Sequence, residues 1–331
     1  MFSEMGLFSD GIDGTLILDA CGSNKKNSSK VLLVQGLVSG SSVQMLAQQW
    51  HCPWLTCPLA QFPCGEWTVR ALSGIEGKTI VVVHDLGPWQ KDALMALGIL
   101  TTALMKAKAA TIWVIAPYLP YGRQNSPQNG PGFDILGQIL GTFAIDHWMV
   151  MDAHSPKSMV QWPLSIQSIS GIDIFLPELT GQEIDCVVSP DQGGYERAKN
   201  CAERLGCAWT TLSKTRTKKG IEMFHPNPEI LRGQRCLIVD DILDTGHTLV
   251  KATEHLMESQ AKSVMACVTH GLFSPGCLGL LECCGLTDLW ISDSVPTFTM
   301  LPPRTNLPNI HTISWIYGLP DCSIISDYPI Q

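Results

Sequence analysis

The residues with the most informative chemistry lie between Cys236 and Thr248, in the segment CLIVDDILDTGHT. Four apolar residues lead to the paired carboxylates Asp240 and Asp241, where the strand is predicted to end. A short hydroxyl-rich segment with one glycine follows, and helical spacing then resumes, so the pattern predicts a buried strand, a loop and a helix. Backbone N–H groups and the positive end of a helix attract anions, and the loop is therefore predicted to bind a phosphate.

The paired carboxylates indicate what else the ligand carries. Adjacent negative charges repel each other, so Asp240 and Asp241 suit vicinal sugar hydroxyls or a hydrated cation better than they suit a purely structural role. An ordinary strand-to-helix turn with an aspartate as helix cap is the alternative. The number and spacing of the polar residues favour a pentose phosphate site. The predicted phosphate loop consists of Asp244, Thr245, Gly246, His247 and Thr248.

The stretch VDDILDTGHT resembles the phosphoribosyl diphosphate (PRPP) binding signature of type I phosphoribosyltransferases and of ribose-phosphate diphosphokinases, the PRPP synthetases. The signature alone does not separate these two families. Three further stretches resemble diphosphokinase segments and occur in the same order: APYLPYGRQ (116–124), MDAH (151–154) and VVSPDQGGYERAKNCAERLG (187–206). Phosphoribosyltransferases typically have one such domain, so the resemblance favours the diphosphokinase family.

This resemblance implies a reaction and a set of site residues. ATP and ribose 5-phosphate would be the substrates, PRPP and AMP the products, and Mg²⁺ the metal. The catalytic residues would be His154, Lys214 and Arg216. His154 and Asp191 would contact the metal. Ribose 5-phosphate would bind at Asp240, Asp241 and the predicted phosphate loop. The nucleotide would be bound by Phe62, Cys64, Glu66, Arg123 and Gln124.

The basic segment LSKTRTKKG (212–220) has no apolar periodicity and is interpreted as a polar loop, for which a solvated surface loop is the alternative. The family has a mobile catalytic loop here, with a lysine and an arginine two residues apart, and Lys214 and Arg216 match that pair. Phosphoryl transfer needs cations that neutralise the moving diphosphoryl oxygens. A flexible basic loop would supply them.

The other candidate residues also have structural alternatives. A lone histidine is usually structural; His154 is distinguished by the MDAH motif around it, whereas His84 is interpreted as a core or turn residue. Arg123 can bind a phosphate or lie over an adenine ring, or it can be a surface arginine. The glycines after Asp191 let backbone amides approach an anion, or they form a tight turn.

Two departures from the family pattern fall on the nucleotide side. In QFPCGE (61–66), Cys64 stands where the family normally has an acidic residue, and Asn125, Ser126 and Pro127 replace an acidic and then basic residues. A catalytically inactive regulatory subunit, like the synthetase-associated proteins, would explain them, whereas the retained catalytic residues argue for an enzyme. A phosphoribosyltransferase would explain the pentose site but not a second domain.

Strands and helices alternate along the chain and must position these residues. Apolar runs such as VLLVQGL (31–37) and TIVVVHDL (79–86) predict buried parallel strands, and DALMALGILTTALMKAKA (92–109) predicts a helix. The predicted fold class is α/β, with two doubly wound, mostly parallel-sheet domains of the type I phosphoribosyltransferase kind. The predicted divisions are a polar extension (1–29), a nucleotide-side domain (30–160) and a domain with the PRPP loop (161–331).

Composition limits the cellular setting and the partners. The chain has 331 residues, 45% of them hydrophobic, and its net charge of −8 argues against general affinity for nucleic acids. No apolar run is long enough to cross a membrane, and the first residues, MFSEMGLFSDGIDG, lack the features of a signal peptide. Thirteen scattered cysteines predict reduced thiols in a cytoplasmic protein. The resemblance implies a homo-oligomer.

Overall fold

The computed structural model describes residues 30–38, 40–70, 72–87, 90–124, 130–217, 220–225, 227–296 and 306–327. These residues form two compact units. The first contains the residues up to Ser168 together with those from Pro320 onward, and the second is Ile169–Leu319. The predicted N-terminal extension, 1–29, lies outside the described residues.

A six-stranded sheet forms the centre of the first unit, with the strand order β2-β1-β5-β6-β7-β8. The strands of this unit are β1 (Val31–Gln35), β2 (Trp54–Leu55), β3 (Leu59–Gln61), β4 (Trp67–Val69), β5 (Thr79–Val83), β6 (Thr111–Ala116), β7 (His147–Met151) and β8 (Ile166–Ile169). Its helices are α1 (Gly40–Trp50), α2 (Gln90–Lys106), α3 (Gly132–Leu140) and α4 (Pro156–Met159). Neighbouring strands from β2 to β7 are parallel, and β3 and β4 form a separate antiparallel hairpin.

The second unit also has a six-stranded sheet, in the order β10-β9-β13-β14-β15-β16, and every neighbouring pair is parallel. Its strands are β9 (Cys186–Ser189), β10 (Ala208–Thr211), β11 (Ser213–Thr217), β12 (Gly220–Phe224), β13 (Arg235–Leu243), β14 (Ser263–Gly271), β15 (Asp288–Ser292) and β16 (Asn309–Ile313). Its helices are α5 (Ile172–Leu179), α6 (Tyr195–Leu205), α7 (His247–Glu258) and α8 (Cys277–Leu281). A last helix, α9 (Ser323–Asp327), belongs to the first unit.

The predicted fold class is confirmed in both units. The apolar runs of β5 and β13 are buried because helices cover parallel sheets on both faces. Helix α1 packs one face against the core, where Val43, Leu46 and Ala47 are fully buried. The carboxyl ends of parallel strands lie at one edge of a sheet, so the loops that follow β6 and β7 meet at one edge, and those that follow β9, β13 and β14 meet at another.

The division between the units differs from the predicted boundary after residue 160. It falls after Ser168 because the chain first completes the edge strand β8 of the first sheet. The residues from Pro320 also belong to the first unit, where the indole Nε1 of Trp50 donates a hydrogen bond of 3.0 Å to the Pro320 carbonyl. Contacts between residues so distant in sequence are not visible in local patterns.

The basic segment that was predicted as an irregular loop has regular structure in its described residues. Ser213–Thr217 forms β11, which pairs antiparallel with β12; Lys214 is opposite Met223, and Arg216 is opposite Ile221. The loop prediction was therefore wrong for the backbone. All five residues of β11 are polar, and the buried Met223 lies on the partner strand β12, so the basic segment itself lacks the apolar alternation that predicts a strand.

Candidate active site

The predicted phosphate loop lies between β13 and α7, at the carboxyl edge of the second sheet. Strand β13 continues through Asp240 and Asp241 to Leu243, so the prediction that the strand ends at the carboxylates was too short. Helix α7 begins at His247, and the side chains of Thr245 and His247 are exposed. The N-terminus of this twelve-residue helix presents N–H groups and the positive end of its dipole to the loop.

Gly246 is required by the shape of this loop. Its φ of +84° lies in the left-handed region, and a Cβ atom there would be 3.1 Å from the Cys277 sulfur. A side chain would therefore be strained by the backbone and crowded by the thiol. Thr248 lies in the first turn of α7 and is half-buried.

Asp240 and Asp241 form an acidic centre beside the loop. Asp241 is buried, and its Oδ2 lies 3.7 Å from Nη2 of Arg197 on α6. Burial raises the pKa of Asp240 well above its usual range, and the negative charges of Asp241 and Asp191 raise it further, whereas Arg197 lowers it. These carboxylates are thus close enough to influence one another. The site favours a ligand that brings hydrogen-bond donors or a cation.

Asp191 caps its own turn after β9. Its Oδ1 accepts hydrogen bonds from the backbone N–H groups of Gly193, at 2.9 Å, and Gly194, at 3.3 Å. The tight-turn alternative therefore describes this conformation, because the amides expected to approach an anion donate to the protein's own carboxylate. A Cβ at Gly194 would be 2.4 Å from the Ser189 hydroxyl, so glycine is needed there.

His154 and the residues after β6 come together in the first unit. His154 is exposed after β7, and the N–H of Ala153 donates to the Ser168 hydroxyl at 3.0 Å. A Cβ at Gly122 would be 3.0 Å from Cβ of His154, so only a glycine lets the two segments approach this closely. The exposed Arg123 follows directly. The structure thus places two of the predicted site residues on adjoining loops.

Gln124 and the hairpin tip occupy other parts of the same unit. A Cβ at Gly132 would be 2.2 Å from Oε1 of Gln124, so this side chain packs against the start of α3. The β3–β4 hairpin presents Phe62, Cys64 and Glu66 at its exposed tip, which is closed by a 2.9 Å hydrogen bond from the Phe62 N–H to the Glu66 carbonyl. The replacements from Asn125 to Pro127 lie outside the described residues.

The interpretation of His84 as a core residue is confirmed. Its ring is buried after β5, Nδ1 accepts from the Leu37 N–H at 3.2 Å, and Nε2 lies 2.9 Å from the Ala93 carbonyl. Burial lowers the pKa of His84 to about 4, so the ring is neutral at neutral pH. Both nitrogens are engaged, which leaves the ring no role in substrate binding.

The predicted metal and catalytic residues are distributed over both units. His154 belongs to the first unit and Asp191 to the second. Within the described ranges, no group of three or more histidine, cysteine or acidic side chains is arranged to hold a metal ion. Lys214 and Arg216 have described backbones in β11.

Sequence reasoning missed two residues that the structure brings to the acidic centre and the predicted phosphate loop. Arg197 reaches Asp241 from α6, and Ser274 donates a hydrogen bond to Asp244 from the segment after β14. Arg197 lies in the family-like stretch 187–206, so the resemblance of that stretch was the available signal. Neither pairing has a local sequence signature.

Two parallel sheets, one with a strand, phosphate loop and helix at its carboxyl edge, define a protein of the type I phosphoribosyltransferase fold. Residues 31–131 match the N-terminal domain of ribose phosphate pyrophosphokinase, and residues 157–275 match the phosphoribosyl transferase domain. A phosphoribosylpyrophosphate synthetase structure from Mycobacterium smegmatis has the same fold, with a TM-score of 0.74 and 23% identity over 86% of this chain and 95% of that one.

Proteins with sequences similar to this chain are named as the same enzyme. The ribose-phosphate pyrophosphokinase of Thermosipho africanus is 31% identical over 76% of this chain and 80% of its own length. That of Campylobacter jejuni is 29% identical over 84% of this chain and 91% of its own length. The chain belongs to the ribose-phosphate pyrophosphokinase family, which is the predicted diphosphokinase family under another name.

Family membership confirms the predicted class of enzyme. The relatives are ATP-dependent transferases of nucleotide biosynthesis, and such diphosphokinases generally need a metal ion. Among the described helices, none combines the length and the apolar character needed to cross a lipid bilayer.

Proposed function

We propose that this protein transfers the diphosphoryl group of ATP to the anomeric hydroxyl of ribose 5-phosphate, which gives PRPP and AMP. The observation that carries the proposal is the pairing of an acidic centre with a helix N-terminus at one sheet edge. Asp240 and Asp241 can accept hydrogen bonds from vicinal hydroxyls, and the start of α7 can bind a phosphate on the same sugar. This combination suits a pentose phosphate.

The phosphate loop would hold the 5-phosphate through donors. Thr245 and Thr248 supply hydroxyl groups, and Gly246 and His247 supply backbone N–H groups at the start of the helix. The ribose would then be fixed at two places, by its phosphate and by its hydroxyls. Two-point binding orients the anomeric hydroxyl for attack on the β-phosphorus of ATP.

The nucleotide would bind on the first unit. Phe62 is 53% exposed at the β3–β4 tip, whereas an aromatic residue of the core would be buried. An exposed ring can stack on a purine. Arg123 offers a planar guanidinium to the base or to a phosphate, and Gln124 and Glu66 add polar groups. Cys64 accepts hydrogen bonds poorly, so it would weaken contacts that a carboxylate makes at this position.

The transfer itself would depend on positioned charge. Lys214 and Arg216 on β11 would neutralise the diphosphoryl oxygens as the bond to the leaving AMP breaks, and His154 would contact the same group. The attacking hydroxyl loses its proton to solvent as the new oxygen–phosphorus bond forms. Transition-state stabilisation by cations fits phosphoryl transfer, which needs little covalent chemistry from the protein.

Mg²⁺ suits the donors that the chain offers. The negative charges of Asp241 and Asp191 raise the pKa of Asp240, and such carboxylate oxygens are the ligands that Mg²⁺ prefers. Mg²⁺ commonly binds through few protein ligands and several phosphate oxygens, which agrees with the lack of a larger ligand cluster in the described ranges. His154 and Asp191 would hold the ion, and its charge would offset that of the triphosphate.

The cell compartment and assembly also belong to this proposal. Every cysteine in the described part of the chain has a free thiol, which supports a cytoplasmic protein. Association into a homo-oligomer is supported by the exposed apolar residues Ile135 and Ile139 on α3 and by Val160 after α4. Light scattering coupled to size-exclusion chromatography would measure the number of subunits. No contact with nucleic acids or membranes is proposed.

Formation of AMP from ATP tests the proposed reaction. The purified protein with Mg²⁺ and ATP should form AMP only when ribose 5-phosphate is present, in a one-to-one ratio with PRPP. ATP binding without AMP formation would indicate the inactive regulatory subunit. Consumption of PRPP with a nucleobase would indicate a phosphoribosyltransferase.

A further inference from the structure

The segment after β14 supports the phosphate loop at Asp244. The hydroxyl of Ser274 donates a hydrogen bond to Oδ1 of Asp244, and the Ser274 N–H donates to the Asp244 carbonyl at 3.0 Å. One serine thus contacts both the side chain and the backbone of one loop residue. These two bonds restrict the position of the first residue of the loop and the direction of its carboxylate.

Neighbouring contacts extend this support along the loop. The N–H groups of Leu272 and Phe273 donate to the Leu243 carbonyl at 2.8 Å and 3.2 Å, directly before the loop. Cys277, whose N–H donates to the Ser274 carbonyl at 3.0 Å, places its sulfur close to the position that a Gly246 side chain would occupy. The segment from Leu272 to Cys277 therefore packs along the loop from its start to Gly246.

The chemistry of the two groups argues against a direct bond between Asp244 and the phosphate. An ionised carboxylate and a phosphate dianion are both hydrogen-bond acceptors, and at contact distance their charges repel. The carboxylate of Asp244 instead accepts a hydrogen bond from the hydroxyl of Ser274. Its contribution to phosphate binding is then the orientation of the donors that follow it, from Thr245 to Thr248.

We infer that Ser274 is a positioning residue for the pentose phosphate site, and that it acts through Asp244 by fixing the conformation of the loop. This inference rests on the proposed function for the identity of the ligand. The bond between Ser274 and Asp244 is formed to a charged acceptor, and such bonds are stronger than those between neutral groups. Its loss should weaken ribose 5-phosphate binding and leave ATP binding unchanged.

Calorimetry with the full-length protein tests the inference. Ser274→Ala should weaken ribose 5-phosphate binding about tenfold, the loss expected for one charge-assisted hydrogen bond. Ser274→Thr retains the hydroxyl and should bind within about twofold of the parent. In an Asp244→Ala background, Ser274→Ala should cause no further loss, because the partner is already absent.

Ser323→Ala is the matched control, because the Ser323 hydroxyl donates a short hydrogen bond to Asp321 in the other unit. Its affinity for ribose 5-phosphate should equal that of the parent. The inference is overturned if Ser274→Ala binds ribose 5-phosphate like the parent, if it weakens ATP equally, or if the two losses add. If the parent protein binds ribose 5-phosphate but forms no AMP, only the proposed reaction is contradicted. The comparison of binding affinities still decides the role of Ser274. A parent without affinity for ribose 5-phosphate overturns both.

Discussion

The buried pair His84 and Asp85 shows how position alone changes the chemistry of common residues. Both follow β5 and are almost fully buried. Burial lowers the pKa of His84 to about 4 and raises that of Asp85 to about 6, while the Gly87 N–H donates to Asp85 Oδ1 at 2.7 Å. Both groups therefore prefer the neutral form, and their effects on stability have opposite pH dependence.

The expected pH dependence follows from proton uptake. Between pH 6.5 and about 4 the unfolded chain protonates His84 and the folded protein does not, so acidification in this window weakens folding. Between about 6 and 3.8 the folded protein protonates Asp85 first, so acidification there strengthens folding. In the parent the two contributions largely cancel.

Asp85→Asn should remove the contribution of Asp85 to the pH dependence of stability and leave that of His84. The free energy of unfolding of this variant, measured by urea denaturation, should fall relative to the parent by about 3 kcal/mol between pH 6.5 and pH 4, at 1.36 kcal/mol for each pKa unit. Asp134→Asn, at an exposed position of α3, is the control and should retain the parent's profile. If the free energy of unfolding depends on pH in the same way in Asp85→Asn and in the parent, burial does not shift the pKa of Asp85 as described.

At the scale of elements, an ion pair fixes the ends of β9 and β13 that lie away from the phosphate loop. Arg235 donates from Nε and Nη2 to the two oxygens of Asp185, at 2.8 Å and 2.7 Å. These hydrogen bonds lower the pKa of Asp185 to about 2. The planar guanidinium makes this two-pronged contact possible, and a lysine ammonium cannot reproduce it.

Arg235→Lys should make the protein less resistant to acid without changing its affinity for ribose 5-phosphate. The stability that Asp185 contributes is present above its usual pKa and is lost as pH falls towards 2, so the variant should lose this part and unfold at a higher pH. Circular dichroism during acid titration measures the midpoint. The control Arg232→Lys changes an exposed ion pair with Glu229 and should leave the midpoint unchanged. A weaker affinity of Arg235→Lys for ribose 5-phosphate would contradict the separation of the two ends.

The β11–β12 hairpin carries the predicted transfer residues on regular structure rather than on an irregular loop. Lys214→Ala should reduce turnover at least a hundredfold and change the KM for ATP little, because a cation that acts on the moving diphosphoryl group matters most in the transition state. Steady-state kinetics of AMP formation measures both constants. Lys219→Ala, outside the matched pair, should turn over like the parent. Normal turnover in Lys214→Ala would remove the hairpin from the proposed mechanism.

At the scale of the whole molecule, the C-terminal segment is part of the first unit although it follows the second in sequence. The Trp50 indole donates to the Pro320 carbonyl, and Ile325 is buried. Removal of residues 320–331 should therefore destabilise the first unit and spare the second. Hydrogen exchange should increase in β1 and α1 and stay unchanged in β13 and β14. Equal increases in both sheets would contradict this assignment.

Local patterns in the sequence determined the class of fold and the residues of the proposed pentose phosphate site. The apolar runs of β5 and β13 predict buried strands because a strand covered on both faces has few polar positions. The spacing of Asp240, Asp241 and the loop predicts a sugar phosphate because all its chemistry comes from one strand, one loop and one helix. These features are local, so they can be interpreted without knowledge of distant contacts.

Only the tertiary structure decided which distant groups act on these residues. Arg197 lies beside Asp241 and Ser274 beside Asp244 because β9, β13 and β14 are neighbours in the sheet, an order that no local pattern states. The hairpin around Lys214 likewise depends on pairing with residues further along the chain. Sequence spacing determines which groups share an element, whereas hydrogen bonds and charges between elements depend on strand order and packing.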